Sequence, residues 1–220
     1  SGGTGVFPEG LLKPSSVYRA GIAFLITGAA IGGYFVFTDG FTIAIILGFA
    51  ILSIYFYSTK IVDSGLGKFF VAVKGSMIVI GTIFIQSGQI TFESILAGII
   101  VGSLSSLVLF IVSFPDHDAD KSKGRKTLVI IAGKQNAVKL FWIFPLISYC
   151  AILVGVIFEL FPIISLISFL SVPLMIKSGL GLKRNYNSID DLVPYMSSTL
   201  MFSRITGVLF VINFLIPLIN

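Results

Sequence analysis

The chain has 220 residues, 55% of them hydrophobic and only 11% charged, with a mean hydropathy of +1.02 and a net charge of +5. A soluble domain carries about 25% charged residues, so this composition excludes a water-facing surface and with it a basic nucleic-acid-binding module. One cysteine, Cys150, and one histidine, His117, exclude a disulfide framework, zinc held by thiolates, and a histidine-based triad.

The chain opens Ser-Gly-Gly-Thr-Gly, which reads as a loop, with neither an initiator Met nor a cleavable signal pattern. Apolar runs near twenty residues then recur. Each is long enough to cross about 30 Å of hydrocarbon as a helix, and the short alternating segments of a β-barrel are absent. The predicted fold class is all-α, a polytopic transmembrane helical bundle making one membrane domain over residues 1–220. About seven spanning helices are placed at roughly 17–38, 41–58, 68–87, 92–114, 137–158, 161–180 and 198–219. Turn residues separate them at Asp39-Gly40, Ser87-Gly88 and, after Glu159, Pro162.

Charges sort by side along this order. One set of connections holds Lys13, Arg19, Lys60, Lys68, Lys121, Lys123, Arg125, Lys126, Lys134, Lys139, Lys177, Lys183 and Arg184. The other holds Asp39, Glu93 and Glu159 with no Lys or Arg. Basic loops stay cytoplasmic, which predicts a multi-pass protein of the cell membrane whose start is cytoplasmic and whose end is outside.

Between the fourth and fifth segments, residues 115–136 form a cytoplasmic loop containing Pro115-Asp116-His117-Asp118-Ala119-Asp120-Lys121, followed by Lys123, Gly124, Arg125 and Lys126. Asp116 and Asp120 are four apart, which on a helix puts both carboxylates on one face. Two such carboxylates suit Mg²⁺, a hard cation that shares oxygen ligands with substrate phosphates. Lys123, Arg125 and Lys126 are then placed to meet phosphate, Arg as a bidentate fork and Lys as a point charge. The alternative is a solvated turn that fixes topology. A calcium loop fails, because Lys121 stands at the glycine position and Thr127 where a closing carboxylate is needed.

The acidic stretch with Gly124-Arg125-Lys126-Thr127-Leu128 and Ala132-Gly133-Lys134 resembles the second aspartate-rich motif of the UbiA superfamily of intramembrane prenyltransferases. Gly2-Gly3-Thr4-Gly5-Val6 with Pro8-Glu9-Gly10-Leu11-Leu12 looks like the loop after that family's first such motif. Ser64-Gly65-Leu66-Gly67 and Gly81 to Gly88 look like its menaquinone branch, which prenylates 1,4-dihydroxy-2-naphthoate. The resemblance implies a nine-helix fold of which the last seven helices stand here. The first motif would lie before Ser1, and residues 1–220 alone would be inactive. It further implies Asp116 and Asp120 as catalytic, Mg²⁺-binding residues, a polyprenyl diphosphate and an aromatic acceptor as substrates within the lipid bilayer, and Tyr55, Tyr57 and Lys60 near the substrate. An interfacial aromatic belt with a snorkelling lysine is the competing account of that trio.

Three positions depart from the family pattern: Val112-Ser113 where an amide or acid is common, Gly67-Lys68 where the menaquinone branch usually has Gly-Glu, and His117 where an aromatic is usual. His117 is expected to be a loop residue and not a ligand. Lys74 lies inside its segment and is either functional or snorkelling. Asp190 and Asp191 are expected to cap the last helix or stay solvated, Glu9 to be structural, and the phenylalanines to pack, face lipid and line the tail cavity. Other UbiA acceptors (4-hydroxybenzoate, a glycerol-phosphate ether lipid, a porphyrin) are the nearest alternative function. A secondary transporter is the alternative of another class, but neither an internal repeat nor midplane polar residues support it.

Overall fold

The computed structural model describes residues 10–56 and 65–215, apart from the side chain of Tyr55. No strand occurs among the described residues. Six helical stretches among them are long and apolar enough to cross a membrane: Pro14–Asp39, Gly67–Ser87, Phe92–Ile111, Lys134–Ile157, Ile163–Asn185 and Ile189–Leu215. The fold is that of an all-α, multi-pass membrane protein. The second predicted span, 41–58, is described only as the shorter apolar helix Phe41–Phe56.

The chain divides into two compact units at residues 58 and 59. The first holds α1 (Pro14–Asp39) and α2 (Phe41–Phe56). Gly40, with φ +83°, makes the tight connection between them, a backbone conformation that a side chain would strain. Gly32 lets Leu47 approach closely, since a Cβ there would lie 2.6 Å from the Leu47 side chain.

The second unit holds α3 (Gly67–Ser87), α4 (Phe92–Ile111), the short helices α5 (His117–Ser122), α6 (Leu128–Ala132) and α7 (Lys134–Leu140), then α8 (Ile143–Ile157), a 3₁₀ helix (Ile163–Ser171), α9 (Val172–Asn185) and α10 (Ile189–Leu215). Thr91 opens α4 with a capping box, its side chain accepting from the Ser94 N–H while the Ser94 hydroxyl accepts from the Thr91 N–H.

Helices α3 and α4 pack through small residues, because lipid supplies no hydrophobic drive between helices and close backbone approach must replace it. A Cβ at Gly102 would lie 2.2 Å from the Ala72 carbonyl oxygen, and one at Gly75 would lie 2.9 Å from the Gly102 Cα. Ser76 Oγ donates across the same seam to the Gly98 carbonyl at 2.8 Å. On its other side α4 meets α8, where Ser103 Oγ donates to the Phe144 carbonyl at 2.7 Å. Phe110, Phe114, Phe141 and Phe202 fill the core.

Three residues per turn in the 3₁₀ helix put Ser165, Ser168 and Ser171 on one buried face. Ser171 joins Tyr149 of α8 at 2.8 Å and Thr206 of α10 at 2.7 Å, a buried hydroxyl chain that ties three elements together.

The connector 115–136 holds α5, α6 and the start of α7, which supplies the helical segment that the Asp116–Asp120 spacing needs. One boundary is corrected. The last helix begins at Ile189 and not near 198. Asp190 and Asp191 stand in its first turn, where carboxylates complement the exposed N–H groups and the positive end of the helix dipole.

Candidate active site

The acidic motif begins as α4 ends. The chain turns through Ser113 and Phe114, and Asp116 occupies the N-cap position of α5. The Asp120 N–H donates to the Asp116 carbonyl at 2.8 Å, a helical bond. Asp116 and Asp120 therefore have the i, i+4 spacing that puts them on one face. Both are half-buried.

A tight C-terminal turn finishes α5. The Gly124 N–H donates to the Lys121 carbonyl and the Arg125 N–H to the Asp120 carbonyl, each at 3.0 Å. This crossed pair is a Schellman motif, and Gly124 at φ +73° supplies its left-handed residue. The reversal brings the Arg125 guanidinium back onto Asp120, with Nη1 2.9 Å from Oδ1. Arg125, predicted to meet phosphate, is thus paired with one of the predicted metal ligands. Lys123 and Lys126 are exposed, and no salt bridge among the described residues uses them.

Asp118 points elsewhere. His117 Nδ1 lies 2.7 Å from Asp118 Oδ1, and Lys134 Nζ lies 3.6 Å from Oδ2. The hydrogen bond from His117, then the charge of Lys134, hold this carboxyl below the usual range. These contacts tie α5 to the start of α7. His117 opens α5 and is not a loop residue.

The structure brings one unforeseen residue to this place. Lys68, in the first turn of α3, is half-buried. Its Nζ donates to the Leu109 carbonyl in the last turn of α4, which also accepts from Ser113 Oγ at 2.9 Å. Its own carbonyl accepts from Ser106 Oγ at 2.7 Å. Asp120 and Asp116 both act on its charge. In the sequence Lys68 is only a departure from a family pattern; its 41-residue separation from Leu109 hides the contact.

Beyond Lys68 a cavity of about 690 Å³ opens among α3, α4, α6, α7 and α8, within the roughly 300–1,000 Å³ range of ligand pockets. Phe69, Met77, Ile80, Ile99, Phe144 and Ile147 give it an apolar wall. Gly65, at φ +80°, lies against the motif segment: a Cβ there would be 2.3 Å from Ile131 Cδ1 and 3.3 Å from the Lys126 carbonyl. The glycine stretch before α3 and the connector after α5 are therefore neighbours.

Tyr57 and Lys60 lie outside the described residues, and Tyr55 is described only as a position on α2. Lys74 is exposed on α3 and does not line the cavity. No cluster of three or more His, Cys, Asp or Glu that could hold a metal ion occurs among the described residues. Two carboxylates on one helical face are nonetheless a fitting donor set for Mg²⁺, which keeps waters and takes its other oxygens from substrate phosphate.

Comparison with known proteins bears on the chain as a whole. The UbiA prenyltransferase family model matches residues 5–203. The chain is 28% identical over 209 residues to the 1,4-dihydroxy-2-naphthoate octaprenyltransferase of Bacillus subtilis (strain 168), covering 93% of this chain and 67% of that protein. No solved structure matches the chain.

Proposed function

The chain belongs to the UbiA prenyltransferase family, and from that premise we propose that it transfers a polyprenyl group from a polyprenyl diphosphate to an aromatic acceptor, in a Mg²⁺-dependent reaction that releases diphosphate. The observation that carries the reading is Asp116 and Asp120 on one helical face, at the start of the connector whose Leu128 lines the apolar cavity together with Lys68. A prenyl diphosphate has the same polarity, a charged head on an apolar chain.

In this reading Asp116 and Asp120 hold the metal, and Lys123, Arg125 and Lys126 meet the remaining phosphate charge. Mg²⁺ neutralises the diphosphate and makes it a better leaving group. Phe69 and Phe144 of the cavity wall present rings to the prenyl chain and its allylic end, where a π face favours positive charge. The allylic C–O bond breaks with its electron pair on the diphosphate. The acceptor's ring carbon bonds to the allylic carbon, and the displaced ring proton leaves to water.

1,4-Dihydroxy-2-naphthoate is the acceptor we favour, because the Bacillus relative is named for it. Lys68 in place of the glutamate usual in that branch keeps other aromatic acceptors as the second reading. The test is prenyl transfer in membranes carrying the full-length protein, since residues 1–220 alone are expected to be inactive, with a panel of acceptors and with Mg²⁺ present or chelated. Asp116→Ala and Asp120→Ala are each expected to abolish Mg²⁺-dependent transfer with the protein still folded. Near-normal turnover in both would overturn the assignment.

A further inference from the structure

Lys68 lines the apolar cavity, and its ammonium is held at the Leu109 carbonyl in the last turn of α4, the helix from which the acidic motif continues; Asp120 and Asp116 attract it from there. In an allylic diphosphate the bond that breaks joins the apolar chain to the charged head. With the chain in the cavity and the head at the two carboxylates, that bond lies where the two regions meet. Lys68 is at that junction.

Its position is fixed from two directions. Ser106 holds its carbonyl and the Leu109 carbonyl holds its ammonium. Leu109 stands in the last turn of α4, where unsatisfied carbonyls make the negative end of the helix and favour a cation. An ammonium has three N–H donors, and Leu109 takes one of them. The remaining donors and the net positive charge are what a departing phosphate oxygen requires.

We propose that Lys68 contacts the substrate and donates a hydrogen bond to the diphosphate oxygen from which the prenyl group departs. This rests on the prenyl-transfer reading above. As the C–O bond breaks, the electron pair stays on that oxygen and Lys68 remains protonated, stabilising the new negative charge without giving up its proton. Before substrate binds, Asp116 and Asp120 offset the charge of the ammonium at the edge of the cavity. With metal and diphosphate bound, Asp116 and Asp120 would hold the metal and Lys68 would face the phosphate.

The experiment compares Lys68→Met, Lys68→Gln and Lys68→Arg with wild type, each in the full-length protein in membranes, measuring melting, kcat and the acceptor KM. Removing one preorganised donor to a developing anion costs about 10²–10³ in kcat. We expect Met and Gln to lose about that much with an unchanged acceptor KM, and Arg to recover most of it. A tie between α3 and α4 alone would instead lower the melting temperature and leave kcat per folded enzyme unchanged. Wild-type kcat in a folded Met or Gln variant overturns the inference. So does failure of both to fold, which would make Lys68 a residue of the fold. If Asp120→Ala loses transfer and Lys68→Gln does not, only this inference falls. If the full-length wild type transfers no prenyl group, the underlying reading falls instead.

Discussion

Arg125 is bound twice to Asp120, through its backbone N–H to the Asp120 carbonyl at 3.0 Å and through Nη1 to the carboxylate at 2.9 Å. A residue expected to receive substrate phosphate thus guards, before substrate arrives, a residue expected to receive metal. The pair is partly exposed, with side-chain exposures of 46% and 16%. Such a pair contributes only about 0–1 kcal/mol to folding, so its importance lies in the exchange of partners.

Arg125→Ala is therefore expected to move two constants in opposite directions. Freed from its partner, Asp120 should need less Mg²⁺ for half-maximal activity. With one charge-assisted contact to phosphate gone, the KM for prenyl diphosphate should rise about tenfold or more. Melting should barely change. A Mg²⁺ requirement that rises together with KM would mean that Arg125 organises the metal site and does not compete for it.

Gly124 sets that pairing. A side chain in its left-handed conformation costs roughly 1–2 kcal/mol, yet nothing lies within 4 Å of where its Cβ would be. Gly124→Ala should thus act through the backbone turn alone, raising the KM for prenyl diphosphate several-fold with a small change in melting. Gly124→Asn, which tolerates the left-handed region better, should fall between Ala and wild type. Kinetics on the three proteins, in one detergent, decide the order.

Asp118 lies off the shared face of Asp116 and Asp120, and Asp118→Asn should leave kcat within about twofold at pH 7, far less than loss of one transition-state contact costs. Its titration should still be displaced. The His117 hydrogen bond and the Lys134 charge depress the folded value, so their stabilisation is present above the unfolded carboxylate value of about 3.9. It is lost as pH falls from there through the folded value. Carboxyl carbon NMR of Asp118 should report a midpoint below the reference, and His117→Ala should return it upward. An unshifted midpoint in wild type would dissolve the tie between α5 and α7.

Helix spacing provides a control for the whole site. Gly102→Ala drives a methyl group into the Ala72 carbonyl, and overpacking of this kind costs about 1–3 kcal/mol. It should lower the melting temperature and weaken transfer, since the same seam carries the Ser106 and Leu109 contacts of Lys68. Gly207→Ala, with nothing within 4 Å, should be silent in both assays.

Orientation is testable separately, in a background with Cys150 replaced by Ser. Ser122→Cys should react with a membrane-impermeant thiol reagent only after cells are opened, and Gly88→Cys in intact cells. The basic residues point to this sidedness. Labelling of Ser122→Cys from outside would overturn the cytoplasmic placement of the acidic motif.

Composition and spacing alone were enough to place this protein in a membrane and to put two carboxylates of its acidic motif in register. Apolar run length fixes which stretches can live in hydrocarbon, and the four-residue spacing of Asp116 and Asp120 fixes a shared face once the segment is helical, because both are local properties of a chain with a set rise per residue. Gly124 was legible as a motif letter, but its function as the left-handed residue that turns Arg125 onto Asp120 was not. The start of α10 and the extents of α6 and α7 within 115–136 were not legible, because hydropathy follows lipid and not helix. Packing, by contrast, is what puts Lys68 at the apolar cavity and against the end of α4, from which the acidic motif continues. That depends on α3 and α4 approaching through Gly75, Gly98 and Gly102 closely enough to carry a lysine to a carbonyl 41 residues away, and such a contact leaves no periodicity in the chain because it is made by packing between helices.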